Sequence, residues 1–203
     1  SPKTLAVSAS VKGVEALKKA NITVHVGLEE KDARILNRPF ENWITTNKPF
    51  VTAKVAQTPS GFMGLDSAHS IWLTGEIARK HTHRLRSESD AILIGRQTAL
   101  IDDPALTVRD VLGKNPKRII LDTNRTLPLS LQIFNDRKAP NLVFCSENRF
   151  ERNKTHFCEY IPVQETHEGL SIPQIVKKLG EENITSLLIE GGQRTLQSFV
   201  DKD

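Results

Sequence analysis

Two cysteines, one methionine and one tyrosine are all that 203 residues hold of these types, and each scarcity closes a class of function. Cys145 and Cys158 lie too far apart for a C-x-x-C pair and sit in apolar, strand-like contexts, so buried free thiols in a reducing cytoplasm are expected. The six histidines offer no zinc spacing: His81 and His83 are two apart, which on a helix sends them to different faces. With one tyrosine and scattered basic residues, the net charge of +4 does not describe a nucleic-acid surface with stacking platforms; it favours small anionic ligands. No apolar run approaches the roughly 20 residues that span a bilayer, so no membrane partner is expected. The start, Ser1-Pro2-Lys3-Thr4-Leu5, has neither a signal peptide's apolar core nor an initiator methionine, which fits a chain beginning inside a longer protein.

What is present is an ordinary globular composition, 38% hydrophobic and 26% charged, enough for one large domain or one and a half. Val11, Val14 and Leu17 recur near helical spacing, Asn21 can end that helix, and residues 22–26 alternate as a short strand before Gly27. Residues 29–37 read as a second helix, acidic at its start and with Arg34 and Arg38 near its end. From Pro49 onward strand candidates (50–55, 91–94, 118–121, 142–145, 157–163, 186–189) alternate with helix candidates (74–86, 171–179, 193–200). That alternation predicts a mainly parallel sheet with covering helices. Ser171 and Gln174 have the spacing of a capping box, with Leu170 able to staple against Ile175, and residues 110–117 read as an exposed loop with Gly113 and Pro116.

Residues 98–109, Thr-Ala-Leu-Ile-Asp-Asp-Pro-Ala-Leu-Thr-Val-Arg, place two carboxylates, a proline and an arginine just after an apolar strand candidate. Open α/β sheets bind ligands at the carboxyl ends of such strands, although Asp-Asp-Pro is also plain turn chemistry. Glu190-Gly191-Gly192 ends another strand candidate ahead of a helix. Bare glycine backbone there admits a pyrophosphate to the helix N-terminus, or simply makes a tight turn. Lys54, inside the apolar run 51–56, needs a partner if buried, or blunts an edge strand if not. Trp72 reads as core or as the wall of a site. Arg86 and Arg109 each present a planar fork suited to phosphate; the alternative for Arg86 is a surface pair with Glu88.

Taken together, Lys54 to Ala56, Ser70-Ile71-Trp72-Leu73-Thr74, Arg86 within 85–93, the stretch 98–109 and Ile189-Glu190-Gly191-Gly192 resemble, in order and spacing, the reductase domain of the bifunctional riboflavin-biosynthesis deaminase/reductase. The set carries the resemblance, from about Lys48 to the end. It implies a dihydrofolate-reductase-like α/β fold and an NADPH-dependent enzyme that reduces 5-amino-6-(5-phosphoribosylamino)uracil, a small phosphorylated pyrimidine, to its ribitylamino product. It implies that Lys54 and Glu190 flank the reacting ribose as catalytic residues, and that Ser70, Arg86, Leu106, Arg109 and Glu190 bind substrate. Ala56, Trp72, Thr98, Asp102, Thr123, Gly191, Gly192, Gln193, Arg194 and Thr195 match positions bordering the cofactor, Thr123 near its 2′-phosphate.

The same resemblance divides the chain into residues 1–47, the tail of a deaminase-like domain and linker, and 48–203, the reductase domain. The deaminase signature, H-x-E followed by P-C-x-x-C, is absent, so zinc is expected only if a complete deaminase domain lies upstream. Where the family has Ser-Leu-Asp-Gly after the first strand, this chain has Thr58-Pro59-Ser60-Gly61, without the acid. The family also continues past the position of Asp203 with strands that complete the sheet and dimer interface. The resemblance therefore implies a domain truncated at both ends and a homo-oligomer formed through the missing strands. Two other readings stand beside it: a dihydrofolate-reductase-like reductase of a pterin-type substrate, and a non-catalytic scaffold remnant.

Overall fold

The runs 91–95 and 141–146, apolar at nearly every position, become the fully buried strands of a parallel sheet, as expected for strands covered on both faces. The computed structural model describes residues 11–63, 74–151 and 158–200. In chain order the elements are α1 (Val11–Lys19), α2 (Glu30–Thr46), β1 (Phe50–Ala53), α3 (Glu76–Ser87), β2 (Ala91–Gly95), α4 (Arg96–Asp102), β3 (Lys117–Leu121), α5 (Gln132–Asn135), β4 (Asn141–Ser146), β5 (Glu159–Val163), the two-residue strands β6 (Glu165–Thr166) and β7 (Gly169–Leu170), α6 (Ile172–Glu181), β8 (Ser186–Ile189) and α7 (Gln193–Val200). Six strands form one sheet in the order β1-β8-β2-β3-β4-β5, all parallel; β6 and β7 make a separate antiparallel pair. Mainly parallel sheet and covering helices are therefore what the residues build.

Alternate side chains of the central strands feed two cores. Ala91, Leu93, Ile119, Leu142, Phe144, Leu187 and Ile189 pack against α6 and the base of α7 through Ile172, Ile175, Leu179 and Leu196. Ile92, Ile94, Ile120, Val143 and Leu188 face the other way, onto Ala99 of α4, Ile133 and Phe134 of α5, and Leu106. Because every strand of the sheet runs the same way, all six carboxyl ends lie along one rim. β8 returns between β1 and β2, so the residues after β1, β8 and β2 become neighbours there.

Several sequence expectations need correction. Residues 22–26 form no strand: Ile22 and Val26 are exposed, and no neighbouring strand among the described residues takes up their hydrogen bonds. The second helix does not stop near Asn37 but runs through Pro39 to Thr46. Proline removes one ladder hydrogen bond, yet tertiary anchors hold the extension: Arg38 lies over the Phe50 ring at 5.7 Å and Trp43 Nε1 donates to the Gly180 carbonyl at 3.1 Å. At Ser171 the helix begins where expected, but without a capping box. Gln174 Oε1 instead accepts from the Gln164 N–H (2.9 Å), tying α6 to the residue that follows β5. The strand expected over 157–163 begins, among the described residues, at Glu159. The expected loop covers residues 110–116, with Pro116 buried, and Lys117 already opens β3.

Candidate active site

The carboxyl rim opens into a cleft of about 1540 Å³, large enough for a cofactor and a substrate side by side. β1 delivers Lys54 one residue past its last strand position, where its N–H still donates to Ile189 O at 3.0 Å. β8 delivers Glu190, whose own N–H donates to Leu93 O at 3.0 Å. These two ladder bonds fix the backbones of neighbouring strands and aim both side chains into the cleft. Lys54 is thus neither a buried mid-strand lysine nor an exposed edge guard; its Nζ lies 3.8 Å from Glu190 Oε2.

Glu190 is the hinge of the charge arrangement. Arg86 Nε donates to its Oε1 at 2.7 Å and Nη2 to its Oε2 at 2.9 Å, a bidentate pair with both side chains mostly buried. The third nitrogen, Nη1, donates to Thr107 O at 3.2 Å. Glu88, the expected surface partner of Arg86, pairs instead with Arg84 (2.8 Å), one turn away on the outer face of α3. Two cations on one carboxylate leave this cluster net positive, opposite the carboxylates of Asp102, Asp103 and Asp110 elsewhere in the cleft wall.

The loop after α4 supplies the facing wall. Asp102 closes that helix, and Asp103, with φ 35°, uses Oδ1 to accept the Gln132 N–H at 2.8 Å. Leu106 is buried with φ 50°, an uncommon conformation for a branched side chain. Arg109 follows, its Nη1 donating to Thr107 Oγ1 at 3.0 Å. The expected convergence of Arg86 and Arg109 on one anion therefore takes another form: both line the cleft, but Arg86 is turned onto Glu190.

The two glycines divide their work. A Cβ on Gly191 would sit 2.6 Å from Thr195 Cβ, and one on Gly95 would meet Thr195 Oγ1, so Thr195 fills the notch between two strand ends and packs the start of α7 down. At Gly192 the nearest atom would be Thr98 Oγ1 at 3.9 Å, so the bare backbone there faces open cleft. Ala56, Thr98, Asp102, Leu106 and Gln193 also line the cleft, whereas Arg194, Thr195 and Thr123 are not in its wall. Thr123 follows β3 on the same rim, its carbonyl accepting from Ser146 N–H at 3.0 Å. Ser70 and Trp72 lie outside the described residues. The loop that lost the family's acid is held by hydroxyls: Thr58 Oγ1 contacts Ser60 Oγ (3.0 Å) and accepts from Phe62 N–H (3.1 Å).

Among the cleft residues that the sequence reading passed over, one is buried and titratable. His83, weighed there only for zinc, is buried beside Arg86, and its Nδ1 accepts the Arg109 N–H at 3.2 Å. The signal was its three-residue spacing from Arg86 on one helix face. Burial, then Arg86 and Arg109, push its pKa below the usual 6.5, while Asp110 and the Thr107 backbone pull it upward.

The sequence profile of the RibD C-terminal domain matches residues 49–203. The riboflavin biosynthesis protein RibD of Aquifex aeolicus is 42% identical over 194 residues, covering 94% of this chain and 53% of that protein. Its counterpart in Bacillus amyloliquefaciens is 34% identical over 194 residues, covering 93% and 52%. The chain thus spans about half the length of the curated relatives it matches. Among solved structures, a Thermotoga maritima diaminohydroxyphosphoribosylaminopyrimidine deaminase/5-amino-6-(5-phosphoribosylamino)uracil reductase superposes with a TM-score of 0.80 at 31% identity, covering 93% of this chain and 52% of its own. A Saccharomyces riboflavin biosynthesis reductase superposes at 0.58 with 26% identity, covering 77% and 72%.

Proposed function

The chain belongs to the RibD C-terminal domain family, and from that premise we propose that it reduces 5-amino-6-(5-phosphoribosylamino)uracil to the ribitylamino product with NADPH, in riboflavin biosynthesis. The observation that carries the reading is the Lys54–Glu190–Arg86 cluster at the carboxyl rim of the parallel sheet, beside the open backbone of Gly192. The cleft fits a dinucleotide: its volume suffices, Gly192 presents no side chain, and α7 begins at the next residue. Bound there, NADPH supplies a hydride for the former anomeric carbon of the opened ribosylamine.

The chain's own residues orient and polarise. Lys54 and Glu190 flank the ribose, Lys54 contributing hydrogen-bond donors and Glu190 acceptors to its hydroxyls. Arg86 holds Glu190 by its fork and Thr107 by its third nitrogen, so it sets the catalytic carboxylate and the substrate loop at once. Leu106 bounds the base side, and Arg109 takes the 5-phosphate, with Ser70 assigned to the same end by resemblance. Ala56, Thr98, Asp102, Gly191, Gly192 and Gln193 belong to the cofactor side; Trp72, Arg194 and Thr195 are assigned to it by resemblance alone, and Thr123 likewise to the far, 2′-phosphate end. Residues 1–47 are assigned to the tail of a deaminase-like domain, and a cytoplasmic homo-oligomer is the working form.

The experiment is NADPH oxidation followed with the phosphorylated substrate and with its dephosphorylated analogue. Wild type turns over the former, with KM lower by roughly tenfold or more, the size of a lost charge-assisted hydrogen bond. Arg109→Ala removes most of that preference while leaving kcat nearly intact; Arg86→Ala lowers kcat as well, since it also frees Glu190. Equal use of both substrates would point to the pterin-type reading, and absence of turnover with retained folding to the scaffold reading.

A further inference from the structure

Arg109 is carried by a loop that neither strand nor helix supports. Residues 103–110 include two non-glycine residues in the left-handed region, Asp103 and Leu106, conformations that persist only where surroundings fix them. Side chains supply the partners that a ladder would. Arg86 Nη1 donates to Thr107 O (3.2 Å), Asn115 Oδ1 accepts from Val108 N–H (2.8 Å), and His83 Nδ1 accepts from Arg109 N–H (3.2 Å). Because Nδ1 is an acceptor, the single ring proton of a neutral His83 belongs on Nε2, which faces Asp110 Oδ2 at 3.5 Å.

We propose that His83 is a positioning residue for the phosphate end of the site: its neutral imidazole holds the backbone of Arg109, and protonation of Nδ1 turns that acceptor into a donor facing another donor, which releases the loop. The inference rests on the reading of Arg109 as the phosphate anchor. The charged groups facing the ring are Arg86 on its own helix and Arg109 and Asp110 from the loop. Burial and the two arginines hold the imidazole's pKa below the usual 6.5, so the neutral, holding form predominates at neutral pH and gives way in acid.

The test uses the full chain and the variants His83→Asn and His83→Phe, with ribose 5-phosphate as the probe. Asparagine places an amide oxygen near the position of Nδ1 and does not titrate; phenylalanine fills the space and accepts nothing. At neutral pH the His83→Asn protein binds the probe within about threefold of wild type and the His83→Phe protein at least about tenfold more weakly, as for a lost buried hydrogen bond. NADPH affinity stays the same in all three, which a general loss of structure would not allow. On acidification the wild type loses probe affinity and the Arg109 backbone amide resonance moves with the titration of His83; in His83→Asn that resonance is static. A His83→Phe protein binding like wild type, a His83→Asn protein as weak as His83→Phe, or an Arg109 amide indifferent to His83 ionisation overturns the proposal. A wild type that binds no ribose 5-phosphate overturns the phosphate-site reading, while the Arg109 amide still supports or overturns the hold of His83 on the loop.

Discussion

Glu190 accepts two short bonds from Arg86 and faces Lys54, so its carboxylate is held in one orientation before any ligand arrives. On the proposed reading, preorganised charge of this kind would act on the reacting centre and not on the distant adenine end of a dinucleotide. Glu190→Gln keeps the shape but cannot carry the charge. Turnover should fall by about 10²-fold or more while NADPH affinity changes little, the pattern of an interaction made to the reacting part of the complex. Lys54→Met should behave similarly, and the double variant should lose less than the sum of the two, because each partner depends on the other. Single-turnover oxidation of NADPH separates these effects from product release. Wild-type rates in Glu190→Gln would remove the residue from the mechanism and leave the fold untouched.

At the scale of elements, the sheet carries an ion pair that no sequence pattern announced. Arg118 of β3 is fully buried, yet it donates to Asp136 Oδ1 (2.8 Å) and Oδ2 (2.6 Å) and to Ile133 O (2.8 Å), fastening α5 under the strand. Burial raises the Asp136 pKa, but the bonds from Arg118 and the Lys138 N–H outweigh it and bring the group below 3.8. Its folded pKa being the lower one, the stabilisation is complete above pH 3.8 and is lost as pH falls through the folded value. Asp136→Ala strands a buried guanidinium and should cost about 3–5 kcal/mol at neutral pH. Urea unfolding of Asp136→Ala against a well-packed Arg118→Met/Asp136→Leu pair checks this: the double variant should recover much of the loss. A single variant as stable as wild type would mean that α5 is held by its apolar residues alone.

The same scale shows what was legible. The strands at 91–95 and 141–146 could be read because burial on both faces leaves an apolar run, and the start of α6 because Leu170 and Ser171 signal it, although the capping box itself does not form. The pseudo-strand at 22–26 had the alternation but no partner among the described residues, and local sequence does not contain one. Arg118 inside β3, Trp43 reaching the carbonyl of Gly180, and the Asn47 carbonyl packed against Gly180 are contacts between distant parts of the chain. In the site, Lys54 and Glu190 stood out as charges in or just after apolar strand candidates, and Arg86 and Arg109 as forks on a helix and in a polar loop, but which carboxylate Arg86 would choose did not. Glu88 was the nearer acid in sequence and Glu190 the nearer in space. His83 was missed because its spacing from Arg86 could put it on the cleft face of the helix but could not show that its ring accepts a backbone N–H from a distant loop.

At the scale of the whole molecule, the parallel sheet joins the charged cluster after β1 and β8 to the polar end of β3, where Thr123 precedes Arg125. Asp122 there is buried and accepts the Leu127 N–H at 2.8 Å, which tightens the turn, while Arg96 at the start of α4 reaches Thr126 Oγ1 at 2.7 Å. A dinucleotide lying along the rim from Gly192 would bring its adenosine end toward this basic, hydroxyl-bearing corner. A ligand that binds only the folded chain raises stability by mass action, about 2.7 kcal/mol at a concentration 100 times its Kd. For a domain of this size that is a rise in Tm of roughly 5–10 °C. NADPH should produce that rise in a thermal melt, and NADH at the same concentration a smaller one, the difference shrinking in Thr123→Val and with added salt, as expected for a charged 2′-phosphate near the surface. Equal shifts with both cofactors would remove the 2′-phosphate from the corner after β3 while leaving the dinucleotide in the cleft. No shift with either would separate the family's fold, which the chain has, from the family's cofactor.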